Sequence, residues 1–100
     1  MSRNPLPSNE IEERIKELSG WRHEGNKIKK NFEFKNFVEA FGFMTQIALE
    51  AEKMDHHPEW FNVYNRVNVE LATHEPKGIS ELDFALAAKM NEIGLNTATL

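Results

Sequence analysis

The chain has no cysteine among its 100 residues. That removes disulfides, a thiolate nucleophile and any cysteine-ligated zinc or iron–sulfur centre, and it fits a reducing compartment. Long apolar runs are missing too. Nothing approaches the roughly 18 residues of a membrane span, and the opening MSRNPLPSNE lacks the apolar core of a signal peptide. The expected location is therefore the cytoplasm, with no membrane partner. Positive charge is scarce, with 12 Lys and Arg against 16 Asp and Glu, for a formal charge of −4. A nucleic-acid binder needs a concentrated basic patch to displace phosphate counterions. Lys27, Lys29, Lys30 and Lys35 do cluster, but alternation spreads three of them along one solvated strand face. Nucleic acid is not an expected partner. Repeats, low-complexity tracts and internal linkers are also absent.

What is present is a globular composition, 40% hydrophobic and 28% charged. A chain of this length suits one domain with a modest core, which association with further copies would enlarge. Residues 1–8 contain two of the four prolines and read as a flexible lead-in, leaving 9–100 as a single domain.

Asn9-Glu10-Ile11-Glu12 has the form of a capping box, and Ile11, Ile15 and Leu18 follow at helical spacing until Ser19-Gly20 stops the helix. Gly25-Asn26 is a hairpin turn. After it Ile28, Phe32 and Phe34 point one way and Lys27, Lys29, Asn31 and Glu33 the other, so this strand has one wet face. From Asn36 to about Met54 the period changes: Phe37, Ala40, Phe41, Met44, Ile47, Ala48 and Ala51 form a helical stripe. Val38, Phe43 and Leu49 fall outside it, which predicts a second contact, with another copy of the chain. Two strands follow, around Phe61 and Val63 and over Val67–Thr73, with a turn near Asn65-Arg66. Ser80-Glu81-Leu82-Asp83 caps a last helix after Gly78. Its stripe is Leu82, Leu86, Lys89 and Ile93, thickened by Ala85, Ala88 and Met90. The order α-β-β-α-β-β-α predicts an α+β two-layer sandwich, a four-stranded antiparallel sheet with three helices on one face.

The chemistry gathers at EKMDHHPEW, residues 52–60. Pro58 biases His57 away from helical backbone, so the long helix must end here, at a corner that carries His56 and His57. His74 closes the last strand. With the intervening turn near Asn65, all three imidazoles belong at the same open end of the hairpin. Surface residues at element ends would be one reading and a metal site another, although the spacing matches no H-E-x-x-H pair on a helix. A third is metal-free acid–base catalysis, for which a group titrating near about 6.5 is suited at neutral pH.

The pattern Glu52-x3-His56-His57-Pro58-x5-Tyr64-x9-His74-x8-Asp83 resembles the signature of the pterin-4a-carbinolamine dehydratases, also called the dimerisation cofactor family. The resemblance runs from about Ile11 to Ile93 and includes Gly20-Trp21, Glu59-Trp60-Phe61-Asn62-Val63-Tyr64 and Thr73-His74-Glu75. It implies a hydro-lyase that removes water from a 4a-hydroxytetrahydropterin to give the quinonoid dihydropterin, in tetrahydrobiopterin recycling beside an aromatic amino-acid hydroxylase. The pterin is substrate, and no cofactor or metal is implied. The resemblance makes His56, His57 and His74 the catalytic residues, with His57 and His74 moving protons and His56 polarising the hydroxyl. Glu52 and Asp55 would either orient an imidazole or hydrogen-bond the pterin's guanidine-like edge, with Pro58 on the same side, and Thr73, His74, Glu75 and Pro76 would form the other wall. Trp21 would either stack on the ring or pack in the core, and Asp83 would bond back to Ser80 as a helix cap. Pro76 and Ala72 stand where some animal members have cysteine and serine, which bears on substrate side-chain preference. The family also implies a dimer joined edge to edge through the fourth strand, Val67–Thr73, and a tetramer formed by the long helix, Phe37–Ala51. Since animal relatives use that helix to stabilise a transcription-factor dimer, a non-catalytic protein-binding module is the alternative.

Overall fold

The computed structural model describes the backbone of residues 1–98 and the side chains of residues 1–94. Helices α1 (Ser8–Ile15), α2 (Phe37–Met54) and α3 (Glu81–Ala98) are set among strands β1 (Arg22–Glu24), β2 (Lys27–Glu33), β3 (Glu59–Val63) and β4 (Arg66–Leu71), with a miniature pair β5 (Thr73–His74) and β6 (Lys77–Gly78). Four strands form one antiparallel sheet and the helices cover its apolar face, as expected. The β5–β6 pair was not anticipated; it occupies the stretch read as strand end and loop.

Local chemistry explains most boundaries. Gly25, at φ 61, and Asn26 close the β1–β2 hairpin, where Glu24 faces Lys27. The β3–β4 turn is Tyr64-Asn65, one residue earlier than expected, because Val63 pairs with Arg66 and Tyr64 itself takes the left-handed conformation at φ 49. Asn36 caps α2, its Oδ1 accepting from the Glu39 amide at 2.9 Å. The capping box expected at Asn9–Glu12 does not form: α1 starts earlier, with the Pro7 carbonyl accepting from Glu10 and Ile11. The Glu12 carboxylate instead lies 3.0 Å from Nδ1 of His23.

The sheet order is β1-β2-β4-β3. This corrects the expectation that the fourth strand forms an edge for joining two sheets. β4 pairs with β2 over Arg66–Leu71 and with β3 over Arg66–Glu70, so both of its sides are already occupied. The free edges belong to β3 and β1.

Alternation on β2 and β4 buries Ile28, Phe32 and Phe34 with Val67, Val69 and Leu71. Phe43 lies with its ring centroid 4.8 Å from that of Phe32 and 4.9 Å from that of Phe34. Phe43 is thus fully buried, not an outward residue as its place off the predicted stripe suggested. The face of α2 against the sheet is Ala40, Phe43, Ile47 and Ala51, while Phe37 and Phe41 join Val38 and Leu49 on an exposed apolar face. A stripe assigned from spacing alone was rotated by about one row. On α3 the expected stripe largely holds, with Leu82, Leu86 and Met90 buried and Ile93 against the core, but Phe84 and Ala87 join it and Ala88 is exposed. Lys30 shares the dry face of β2. Its Nζ donates to the Ser19 carbonyl and to Asn91 Oδ1, both at 2.8 Å, and burial pushes its ammonium below the usual lysine range.

Part of the N-terminal segment touches the body of the domain. The Leu6 amide donates to the Ile79 carbonyl at 2.8 Å, Arg3 Nη2 donates to the Asp55 carbonyl at 2.7 Å, and Leu6 packs against the core. No helix among the described residues is long and apolar enough to cross a membrane.

Candidate functional site

The corner at the end of α2 is built by its backbone. Asp55 takes φ 50 and ψ 47, and its amide donates to the Glu52 carbonyl while that of His56 reaches Ala51. This six-to-one and five-to-two pair is a Schellman ending, here with aspartate in the left-handed position usually held by glycine. Pro58 prevents any return to helix, and β3 begins at Glu59. The two histidines consequently diverge. His56 turns inward and is only 5% exposed, whereas the His57 side chain is 58% exposed.

His56 ends on a buried carboxylate. Its Nε2 lies 2.6 Å from Asp83 Oδ1. Asp83 Oδ2 accepts from the Thr73 hydroxyl and from the Ser80 amide, each at 2.9 Å. The Ser80 hydroxyl lies 2.6 Å from Thr73 Oγ1 and accepts from the Leu82 amide at 3.3 Å. A carboxylate only accepts, so His56 carries its proton on Nε2; Thr73 donates to Asp83 and therefore accepts from Ser80. In this buried cluster His56 Nε2, both oxygens of Asp83 and both hydroxyls have partners, in keeping with the cost of leaving a buried group unpaired. Asp83 does cap α3, as the sequence indicates. Its second bond, to an imidazole 27 residues away, had no local signal.

His57 Nε2 lies 2.7 Å from Glu52 Oε1, so the carboxylate one turn earlier orients the exposed imidazole. His74 stands on β5, 70% exposed, with Nε2 3.7 Å from Glu59 Oε1. Each of the three histidines thus faces a carboxylate. Glu59 is itself held by Lys27, whose Nζ lies 2.8 Å from Glu59 Oε2 and 2.9 Å from Glu70 Oε1. Both carboxylates raise the Lys27 ammonium above the usual lysine range, and Lys27 in turn lowers Glu70.

Between the corner and β5 opens a cleft of about 310 Å³, lined by Arg3, Asp55, His56, His57, Ala72, Thr73, His74 and Glu75. That volume is the low end of the range for small-molecule sites. The expected convergence of three imidazoles therefore occurs. Pro58 and Glu52 do not line this cleft; with His57, Trp60 and three residues of α2 they border an adjoining apolar hollow of about 410 Å³. A larger groove of about 580 Å³ along α2 contains no imidazole, and chemistry rather than volume decides between them. Pro76 follows the cleft residue Glu75 through a cis peptide bond and is not itself part of the lining.

Trp21 requires correction. It is 7% exposed, packs edge-on against Phe32 with centroids 6.2 Å apart, and donates from Nε1 to Asn91 Oδ1 at 2.9 Å. It is a core residue, absent from the cleft lining and with no face free to stack on a ligand. Tyr64 lies at the opposite end of the β3–β4 hairpin from the cleft. Sequence reasoning missed Arg3, because nothing local indicates where an N-terminal segment will dock.

A family model described as pterin 4 alpha carbinolamine dehydratase matches residues 4–93. Proteins of Brucella ovis and Brucella suis, provisionally named pterin-4-alpha-carbinolamine dehydratases, are each 54% identical over 95 residues, covering 93% of this chain and 98% of theirs. A crystal structure of a Brucella melitensis protein, described as a transcriptional coactivator/pterin dehydratase, superposes with a TM-score of 0.89 at 53% identity, covering 91% of this chain and 99% of that one. A pterin dehydratase-like protein described as a RuBisCO assembly factor in the alpha-carboxysome shares the fold, with a TM-score of 0.65 at 23% identity over 75% of this chain and 89% of its own. By the extent of the matched residues and the identity to these relatives, the chain belongs to the pterin 4 alpha carbinolamine dehydratase family.

Proposed function

We propose that this protein dehydrates a 4a-hydroxytetrahydropterin to the quinonoid dihydropterin by general acid–base catalysis at the histidine cleft. The observation that carries the reading is the meeting of exposed His57 and His74 in one small cleft beside the buried His56–Asp83 pair. In this reaction the C4a–O bond breaks, a double bond forms between C4a and the adjacent ring nitrogen, and that nitrogen loses its proton. Hydroxide is a poor leaving group, so one group must deliver a proton to the departing oxygen while another removes one from the nitrogen. The products are water and the dihydropterin, with no change of oxidation state. His57 and His74 serve as this acid–base pair, each such transfer being worth about 10²–10⁴-fold. His56, its Nε2 committed to Asp83, polarises the substrate hydroxyl from the floor. Asp55, Thr73 and Glu75 offer acceptors and donors to the polar edge of the ring. Family membership supports placing the activity in tetrahydrobiopterin recycling beside an aromatic amino-acid hydroxylase, in the cytoplasm.

The test is dehydration of synthetic carbinolamine by the purified chain, followed in stopped flow, with His74→Ala and His57→Ala alongside. Acceleration lost in both folded variants and retained after exhaustive chelation is the expected result. A folded wild type that gives no acceleration overturns the reading.

A second reading has its own observation. Phe37, Val38, Phe41 and Leu49 leave one face of α2 apolar and exposed, which suits self-association of the chain into a tetramer. A non-catalytic binding role through the same face is the alternative, and the activity assay separates it from the enzyme.

A further inference from the structure

The two walls of the cleft come from distant parts of the chain, residues 55–57 and 72–75, and the segment Ser2–Leu6 spans them. On one wall Arg3 Nη2 donates to the Asp55 carbonyl at 2.7 Å, with Asp55 Oδ2 at 3.7 Å. Beyond the other wall, the Leu6 amide donates to the Ile79 carbonyl, just after β6, and the Ser2 amide to Glu81 Oε2 at 3.3 Å, at the start of α3. Pro5 lies over Gly78, where a Cβ on residue 78 would come within 2.9 Å of the Pro5 ring. Among the described residues lining the cleft, Arg3 is the one with a permanent cation.

Resting on the dehydratase reading of the cleft, we propose that Arg3 is a positioning residue for His57. Asp55 holds a left-handed conformation, which aspartate enters more readily than most residues but which still favours glycine. The guanidinium holds the carbonyl of that residue, two positions before His57, at the C-terminal end of a helix where a cation is favoured. Through Pro5 over Gly78, which pairs with Thr73, the same segment is tied to the β5–β6 pair that carries His74. Arg3 therefore fixes the distance between the two imidazoles that move protons, and the strap acts as a brace across the cleft.

The experiment compares wild type, Arg3→Met and Arg3→Lys as full-length proteins. Backbone amide exchange at Asp55–His57 and the affinity for a stable 7,8-dihydropterin are measured beside kcat and KM. In R3M, exchange at these amides should rise, kcat should fall about tenfold with a smaller change in KM, and the thermal midpoint should move no more than about 4 °C. R3K, which keeps a donor for the Asp55 carbonyl, should fall between. Unchanged exchange in R3M overturns the proposal, and so does raised exchange with kcat at the wild-type value. If the wild type proves inactive, the dehydratase reading fails by itself, while exchange and dihydropterin affinity still decide whether Arg3 holds the corner.

Discussion

Asp83 Oδ1 lies 2.6 Å from His56 Nε2, and the other oxygen of that carboxylate caps the helix on which Asp83 stands. One buried group thus serves the start of α3 and the floor of the cleft. Asp83→Ala would strand an imidazole, a hydroxyl and an amide away from water. A cost of about 3–5 kcal/mol is expected from breaking such a pair, measured by denaturant unfolding. Asp83→Asn, which keeps an acceptor for the amide, should cost less and still displace His56.

Glu52→Gln separates orientation from charge at His57. The amide can still accept from the imidazole but no longer stabilises its cationic form. We expect a fall in kcat of about tenfold or less, with the thermal midpoint unchanged because both groups are exposed.

Phe41→Asp probes the exposed face of α2. The side chain touches Phe37, with ring centroids 5.7 Å apart, and lies outside the core. The isolated fold should survive, whereas sedimentation should show a smaller species than wild type. An unaltered assembly would mean that this face is not the contact.

Lys27→Met tests the ion pairs on the wet face of the sheet. Lys27 holds the Glu70 carboxyl below the usual carboxylate range. A depressed carboxyl adds stability above its unfolded titration, near pH 4.5, and that contribution is lost as pH falls through the folded value. In K27M the Glu70 titration followed by NMR should move up toward the ordinary range, and the stability lost between neutral and acid pH should be smaller.

Phe43→Ala measures the core. Phe43 is fully buried among Phe32 and Phe34, and a loss of about 3–5 kcal/mol is expected on denaturant unfolding.

The elements were legible in the sequence because their signals are local. Gly25-Asn26, Asn36, the Pro58 stop and the Ser80–Asp83 cap each act within four residues, and alternation on β2 and β4 is read directly. Helix faces were less legible. A row of alanines and phenylalanines on α2 fits two neighbouring stripes equally, and only the position of Phe32 and Phe34 selects the one through Phe43. Strand order was not legible, since β4 alternates identically whether it lies inside the sheet or at its margin. The three cleft histidines could be placed together from hairpin arithmetic, but Asp83 on His56 and Arg3 on Asp55 are contacts between segments with no shared period. Trp21 was undecided by its type, because an indole serves equally as a stacking surface and as core filling; its bond to Asn91 resolves the matter.

Because β4 lies inside the sheet, the margin beside the cleft is β3, which starts at Glu59, two residues past His57. Any chain that extended the sheet there would run along the near lip of the cleft and press on the same carboxylate that His74 faces. Enlargement of the sheet and the shape of the cavity would then be one property: dilution that separates the copies would also change how the site holds its ligand.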